Sequence, residues 1–455
     1  MFKRLTLIVL CLASGQAWSH SAQARSPDAT PPSQELEEEQ SAEVALLARH
    51  QPAEPGDQGD DATAYSIPSA ECSCYGIGSC WSSWLSAFYA DGWIAQGFTG
   101  NGDNPPDRFN GPMGFNDRAN EYQLNQLYLI LGREVDTNPC SWDMGGRVDL
   151  LFGTDYFFTE AIGLETRQDG SPKWNSSNGP RGAGAALYGL AMPQVYAEIS
   201  APLGNGVNVK MGHFYTTLGY ESVMAPENFF YSHSYSKLYG EPFTHTGMLF
   251  TYEVSPNLAV HGGLTRGWDT WENPNDTCAG IGGFKWTCPD NSGSIAFALH
   301  TGEENRNGNR TAYTLVATRQ LTDRVSYTLQ HDLGIEQNGA AWGITRKDAI
   351  WYSINQYLFY QLNESTSLGL RVEWFRDEDA ARIFTAAAAN QVRGSNFSEV
   401  TLGLNWTPYS FITVRPEVRW DYSDVEVPGL GVGGMYDAFR SHRQFTFGLD
   451  FIARY

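Results

Sequence analysis

An alternation of apolar and polar residues, repeated over short segments along most of the chain, is the feature that most constrains its fold. In the final segment the apolar side chains at every second position are Phe445, Phe447, Leu449 and Phe451. Successive side chains of a β-strand point to opposite sides, so this period predicts a strand with one apolar face. The last residue, Tyr455, is also aromatic. Because chain ends are usually polar and frayed, the sequence predicts a paired strand at the very end of the chain.

The connections between alternating segments are short at one end of the predicted strands and long at the other. Short ones include 201–206, 255–257 and 322–324, whereas long ones include 154–190 and 217–244. This pattern is typical of an all-β, transmembrane antiparallel β-barrel with short periplasmic turns and long extracellular loops. A barrel that begins and ends in the periplasm needs an even number of strands, and counting 279–287 as a strand gives about 16, within a range of 14–18.

The predicted strands cover most of the chain from residue 91 onward. They are 91–99, 123–133, 144–153, 191–200, 207–216, 245–254, 258–268, 279–287, 294–301, 311–321, 325–333, 348–361, 366–376, 397–407, 411–421 and 443–455. The barrel domain is therefore expected at 91–455.

The N-terminal part of the chain has the features of an exported protein. Residues 1–24 carry Lys3 and Arg4, then an apolar run and small residues at a cleavage site, which predicts a secretory signal peptide. Residues 25–71 are rich in Pro, Gly and acid and predict a solvated periplasmic leader. The apolar run is too short for a spanning helix.

Charge and motifs limit the classes of function. The formal net charge is −21, and −14 of it lies in residues 72–455, which argues against nucleic-acid binding. The chain has no Gly-x-Ser-x-Gly elbow, and no spacing selects a catalytic set, a metal site or a cofactor site. The prediction is a non-enzymatic porin for passive diffusion of small hydrophilic solutes or ions. The alternative is a secreted or surface-bound β-rich binding protein or hydrolase, whose apolar faces would form a dry core.

Five stretches resemble the putative β-barrel porin-2 family of outer-membrane proteins. They are 125–136 (NQLYLILGREVD), 212–235, 241–247 (EPFTHTG), 351–377 and 415–421 (RPEVRWD). The resemblance implies a porin in the bacterial outer membrane, in contact with its lipid. Ala380 replaces the glycine that usually follows the RDED motif of such proteins, so that loop is expected to differ.

Segment 217–244 is the candidate for narrowing the pore. It is rich in aromatic residues, namely Phe229, Phe230, Tyr231, Tyr235, Tyr239 and Phe243. If it folds inward, its rings pack on the barrel wall and its charged groups border the constriction; these are Glu227, His233, Lys237 and Glu241. Alternatively, the segment caps the rim or packs against a neighbouring subunit.

Charged residues at alternate positions of two late strands form a second candidate, which we call the charge ladder. Its members are Arg371, Glu373, Arg415, Glu417 and Arg419. On a wet inner wall, mixed charges set a field that selects among ions. Alternatively, they pair across strands and stiffen the wall.

Three further predictions concern the ends of the barrel. Disulfides are expected among the cysteines predicted on the periplasmic side, which are Cys72, Cys74, Cys80, Cys140 and Cys288. Segment 72–90, with Trp81, Trp84, Leu85 and Phe88 at helical spacing, is either a short amphipathic helix or a lead-in to the first strand. Phe451 and Tyr455 resemble the C-terminal signal read by the barrel assembly machinery, and a homotrimer is expected by analogy with other sixteen-strand porins.

Overall fold

Sixteen antiparallel strands close into one barrel in the computed structural model of the chain. The described residues are 87–137, 141–175, 178–179, 182–183, 187–273, 276–305, 308–339, 347–383, 394–426 and 433–455. The barrel strands are β1 (Phe88–Asn101), β2 (Glu121–Arg133), β3 (Asp143–Gly153), β4 (Gly189–Ala201), β5 (Val207–Tyr215), β6 (Thr244–Ser255), β7 (Leu258–Thr265), β8 (Ala279–Thr287), β9 (Gly293–Asn305), β10 (Gly308–Thr322), β11 (Val325–Glu336), β12 (Ala349–Asn363), β13 (Thr366–Asp377), β14 (Ser395–Tyr409), β15 (Ile412–Ser423) and β16 (Arg443–Arg454).

The strand prediction is confirmed, including the segment 279–287, which made the predicted number of strands even. Each predicted strand overlaps one observed strand, because the two-residue period depends on local sequence alone. β1 begins at Phe88, so this residue belongs to the barrel rather than to a helix. The signal peptide, the leader and the rest of segment 72–90 lie outside the described residues, and those predictions stand as made.

The remaining elements lie in the connections. They are a helix, α1 (Tyr156–Thr159), a 3-10 turn (Ala225–Glu227), a single π-helical turn (Ser236–Gly240), and a hairpin of two-residue strands at Asn178–Gly179 and Gly182–Ala183. In the part of the chain that the structure describes, no helix has both the length and the apolar character needed to cross a membrane.

The last strand closes the barrel on the first. β16 pairs with β1, with Asp450 opposite Gly97. Beyond the strand, Tyr455 continues the pairing: its backbone N–H donates to the Gly92 carbonyl at 2.9 Å, and its hydroxyl donates to the Tyr128 carbonyl at 2.9 Å. The aromatic C-terminus is therefore fixed, and the strand has no free edge.

Apolar residues face outward and polar residues face inward. Along β16, Phe445 is 56% exposed and Phe447 is 45% exposed, whereas Thr446 and Asp450, which point to the other side of the strand, are each 2% exposed. This is the reverse of a soluble sandwich, in which the apolar faces meet in a dry core. It matches a barrel whose outer surface contacts lipid.

The connections alternate in length as predicted. Short turns at one end include 202–206, 256–257 and 364–365, and long loops at the other end include 154–188 and 216–243. Residues 216–243, between β5 and β6, are called the inner loop below.

The two described cysteines lie at opposite ends of one strand. Cys278 precedes β8 and Cys288 follows it, and both carry free thiols. A strand of this length spans roughly 30 Å, so the two thiols cannot bond to each other. This agrees with the sixteen-strand arrangement, which keeps Cys278 and Cys288 apart. The other cysteines of the predicted periplasmic disulfides, Cys72, Cys74, Cys80 and Cys140, lie outside the described residues, and that prediction stands as made.

Candidate functional site: the inner loop and the barrel wall

The inner loop folds into the barrel. Its aromatic residues Phe230, Tyr231, Tyr235 and Phe243 are buried. Tyr235 packs with Phe397 of β14, at 5.5 Å between ring centroids, and its hydroxyl donates to Asp421 of β15 at 2.6 Å. The loop therefore contacts the inner wall rather than the outer rim.

The two glutamates of the charge ladder accept hydrogen bonds from the loop backbone. Glu417 accepts the N–H of Tyr231 at 2.9 Å and that of Ser232 at 3.1 Å. Glu373 accepts the N–H groups of Tyr235 and Ser236 at 2.6 and 2.7 Å. These carboxylates satisfy backbone donors that would otherwise be buried without partners.

The three arginines of the ladder donate to the carbonyl groups of the same loop. Arg371 donates to Ser232 O at 2.7 Å, and Arg419 donates to His233 O at 2.6 Å. Arg415 donates to Ala225 O at 2.9 Å and to Asn228 O at 2.5 Å. Each residue of the ladder therefore bonds to the backbone of the inner loop.

Carboxylates on the wall balance the arginines. Glu399 accepts from Arg371 Nε at 2.5 Å, Asp421 lies 2.7 Å from Arg419 Nη2, and Asp450 lies 2.5 Å from Arg415 Nη2. Asp450 is directly opposite Arg415 in the register of β15 and β16. Sequence reasoning did not select these three residues, although they occupy inward positions of neighbouring strands.

Glu221, a fourth residue that was not selected from the sequence, joins the inner loop to the wall. Its carboxylate accepts from Arg371 Nη1 at 2.8 Å, from the Tyr357 hydroxyl at 3.1 Å and from the Ser234 N–H at 2.8 Å, and it lies 3.2 Å from His233 Nδ1. Burial disfavours its charge, but Arg371 and the contact with His233 together hold the pKa of Glu221 below its ordinary value.

The four loop candidates lie within the packed loop. Glu227, His233, Lys237 and Glu241 are at most 5% exposed. Lys237 Nζ is 3.5 Å from Glu241 and lies over the Phe243 ring at 5.3 Å. Burial raises the pKa of Glu241, and Lys237 opposes that effect. Glu227 and Lys237 also line a cavity of about 30 Å³.

The charge ladder is not on a wet surface. Its five residues are at most 3% exposed, because the inner loop occupies the space that the sequence analysis assigned to water. All nine candidates thus lie in or next to the contact between loop and wall.

Glycines at inward positions make room for the rings of the inner loop. Gly369 of β13 lies opposite Gly403 of β14. A Cβ at Gly403 would lie 3.0 Å from the Phe230 ring, and one at Gly369 would overlap the Phe229 ring. A Cβ at either of two further glycines, Gly97 and Gly448, would likewise come too close to the Tyr231 ring. We call these four residues the glycine groove.

A larger cavity lies next to strands that do not carry the charge ladder. It has a volume of about 190 Å³ and lies between the start of the inner loop, at Thr217, Gly219 and Tyr220, and the walls of β7–β11. Among the described residues, no group of three or more His, Cys, Asp or Glu side chains is arranged to hold a metal ion.

Comparison with protein families places the described barrel in a known family. The model of the family described as putative beta-barrel porin-2, OmpL-like, matches residues 87–455. Curated protein sequences give no significant match.

Solved structures of outer-membrane channels share the barrel. The anion-selective porin from Comamonas acidovorans has a TM-score of 0.51 at 8% identity, over 81% of this chain and 99% of that one. OprB of Pseudomonas putida has a TM-score of 0.51 at 11% identity, over 83% and 97% of the two chains. The outer-membrane channel DcaP of Acinetobacter baumannii has a TM-score of 0.50 at 10% identity, over 81% and 97%. At these identities the likeness concerns the fold.

Proposed function

Since this chain belongs to the putative β-barrel porin-2, OmpL-like family and is therefore an outer-membrane porin, we propose that the inner loop forms the constriction of its channel. A closed barrel of this strand number leaves a lumen that side chains of the wall do not fill. A segment that folds inward and is fixed there sets the width of the remaining passage. Small hydrophilic solutes and ions pass by diffusion through the space that the loop leaves.

One observation carries this proposal: all five ladder residues bond to the backbone of the inner loop. Backbone groups bonded to buried charged side chains are expensive to release. The charge ladder thus acts first as the anchor of the constriction. The electric field of the ladder acts on passing ions through the loop that covers it. The positive charges of its arginines are balanced by the wall carboxylates Glu399, Asp421 and Asp450.

The experiment is single-channel conductance of the purified protein in a planar bilayer. Replacing residues 222–238 with a short Gly/Ser linker is expected to raise the conductance, because the passage widens. The matched control removes residues 167–170, an exposed stretch of another long loop, and leaves the conductance unchanged. Equal conductance of the native protein and the inner-loop variant, with a correctly folded barrel, would overturn the proposal.

The proposed assembly is a homotrimer whose barrels are inserted by the barrel assembly machinery. Support for recognition by that machinery comes from the last strand, β16, in which Phe451 is in phase with the exposed Phe445 and Phe447. Cross-linking in native membranes would test the trimer. Loss of insertion in Tyr455→Ala, with insertion retained in Tyr409→Ala at another exposed aromatic position, would support the role of the C-terminus.

A further inference from the structure

The wall of the larger cavity carries uncharged polar groups at inward positions of three adjacent strands. Ser294 of β9 lies opposite Thr318 of β10, and Thr318 lies opposite Thr328 of β11. Gln320 and Ser326 form the next pair toward the periplasmic turns. All five residues line the cavity. Because directly opposite residues of paired strands point to the same side, this wall presents one continuous surface of hydroxyl and amide groups.

The same row of the wall becomes charged where the inner loop covers it. Thr328 lies opposite Tyr357 of β12, and Tyr357 lies opposite Arg371 of β13. Arg371 belongs to the charge ladder and bonds to the loop backbone. The charges of this row are therefore buried under the loop, whereas its hydroxyl groups line the cavity beside the loop.

The two charged side chains of the cavity lining, Lys285 and Arg319, both interact with other groups of the protein. Arg319 lies opposite Tyr327 in the outward set of positions, and its Nη1 donates to Ser292 Oγ at 2.6 Å. Lys285 has an interaction of its own and does not stand free in the cavity. Among the described residues of the lining, none is Asp or Glu. The cavity therefore has little to offer an ion that gives up its water.

Buried polar atoms without partners also line the cavity. Within the described part of the chain, Thr217 Oγ1 and both ring nitrogens of His261 have no hydrogen-bond partner. Thr217 is 7% exposed and belongs to the inner loop, whereas His261 belongs to β7, so these atoms lie on two sides of the cavity. A hydroxyl group and a neutral imidazole ring each provide a donor and an acceptor. Since buried polar groups are generally satisfied by protein, water or ligand, these atoms can bind the hydroxyl groups of a solute.

We propose that this cavity is a subsite for uncharged polyhydroxyl solutes, such as monosaccharides, on their way through the channel. The inference rests on the proposed function, since the cavity lies beside the inner loop and extends to Asn291 and Ser292 in the turn between β8 and β9. The hydroxyl groups of the wall replace hydrogen bonds that the solute made with water, so an uncharged solute enters at little cost. A charged solute of the same size loses hydration that these groups do not replace.

The test compares the rates at which three radiolabelled solutes enter proteoliposomes that contain the full-length protein. The solutes are glucose, gluconate and N-methylglucammonium, which are similar in size and carry no charge, one negative charge and one positive charge. Glucose is expected to enter several-fold faster than either ion.

The double variant Thr217→Val, Thr328→Val replaces two hydroxyl groups of the cavity by methyl groups of similar shape. It is expected to lower the glucose rate several-fold and to leave the conductance in KCl close to that of the native protein. Thr366→Val is the matched control, because Thr366 occupies an outward position of β13 away from the cavity, and it leaves the glucose rate unchanged. Thr318→Val is a second variant on another strand and is expected to act in the same direction.

The outcomes separate the subsite from the constriction. Entry of either ion as fast as glucose, or equal glucose rates in the double variant and in Thr366→Val, would overturn the subsite and leave the constriction standing. Native conductance of the variant that lacks residues 222–238 would overturn the constriction, whatever the order of the three solutes. Heat-dependent gel migration of each variant verifies that the barrel has folded.

Discussion

Arg371 of the barrel wall and Glu221 of the inner loop form an ion pair of 2.8 Å whose side chains are 0% and 5% exposed. The two residues belong to different elements, β13 and the loop between β5 and β6. A buried ion pair of this kind adds little net stability compared with apolar residues, but the loss of one partner leaves an uncompensated charge. The pair therefore makes Arg371 one of the wall residues on which the position of the loop depends, because it bonds both to the Glu221 side chain and to the loop backbone.

Arg371→Gln is expected to lower the free energy of unfolding by about 3–5 kcal/mol, because Glu221 and Glu399 would both lose the arginine that bonds to them at 2.8 and 2.5 Å. The measurement is urea unfolding in detergent. The control is Arg108→Gln, which breaks an exposed pair with Glu121 and is expected to cost at most about 1 kcal/mol. Similar losses for the two variants would contradict the role given to Arg371.

Gly369→Val is expected to displace the inner loop, since a side chain at this position overlaps the Phe229 ring. The expected result is a larger or noisier single-channel conductance in a barrel that still folds. Gly102→Val serves as the control, because no atom lies within 4 Å of a Cβ at that position. Native conductance of the Gly369 variant would show that the groove does not fix the loop.

Glu165, in the long loop before β4, is expected to make stability depend on pH. Burial raises the pKa of Glu165 to about 7, although the N–H groups of Ala161 and Met192 donate to its carboxylate. A carboxyl group with a raised pKa in the folded state contributes stability at low pH and loses it as pH rises through that value. The melting temperature should therefore fall between about pH 4.5, the ordinary value of the carboxyl group, and about pH 7.

Other groups titrate in the same range, so the comparison with Glu165→Gln isolates this one. The difference in melting temperature between the native protein and the variant should shrink or reverse as the pH rises. A difference that is constant across the range would contradict the assignment.

The free thiols of Cys278 and Cys288 report the orientation of the barrel. Cys278 is exposed in a long loop, and Cys288 is in a short turn at the opposite end of β8. A membrane-impermeant maleimide added to intact cells should label the protein, and Cys278→Ser should abolish that labelling. Labelling that persists in Cys278→Ser and disappears in Cys288→Ser would require the inverted orientation.

The strands could be predicted from the sequence because their signals are local. The two-residue period and the lengths of the connections need no knowledge of tertiary contacts. The requirement for an even number of strands was enough to identify β8. The inward direction of Arg371, Arg415 and Arg419 followed from the same period.

The partners of these side chains could not be predicted in the same way. The contact between Arg371 and Glu221 depends on how a long loop folds inside the barrel, and no local pattern encodes that path. The glycine groove could have been predicted from the sequence. Gly369, Gly403 and Gly448 occupy inward positions of β13, β14 and β16, where larger residues would cover the wall. Small residues at such positions indicate that another segment approaches closely.

The order of the chain gives the charge ladder a consequence for biogenesis. The inner loop is synthesised before β13, β15 and β16, yet its backbone is held by side chains of β13 and β15, and Tyr231 fits beside Gly448 of β16. Until those strands are added, the loop has no surface on which to settle. The inner loop thus reaches its final position only when the last strands dock, and under the proposed function an incompletely assembled barrel would have a wider channel.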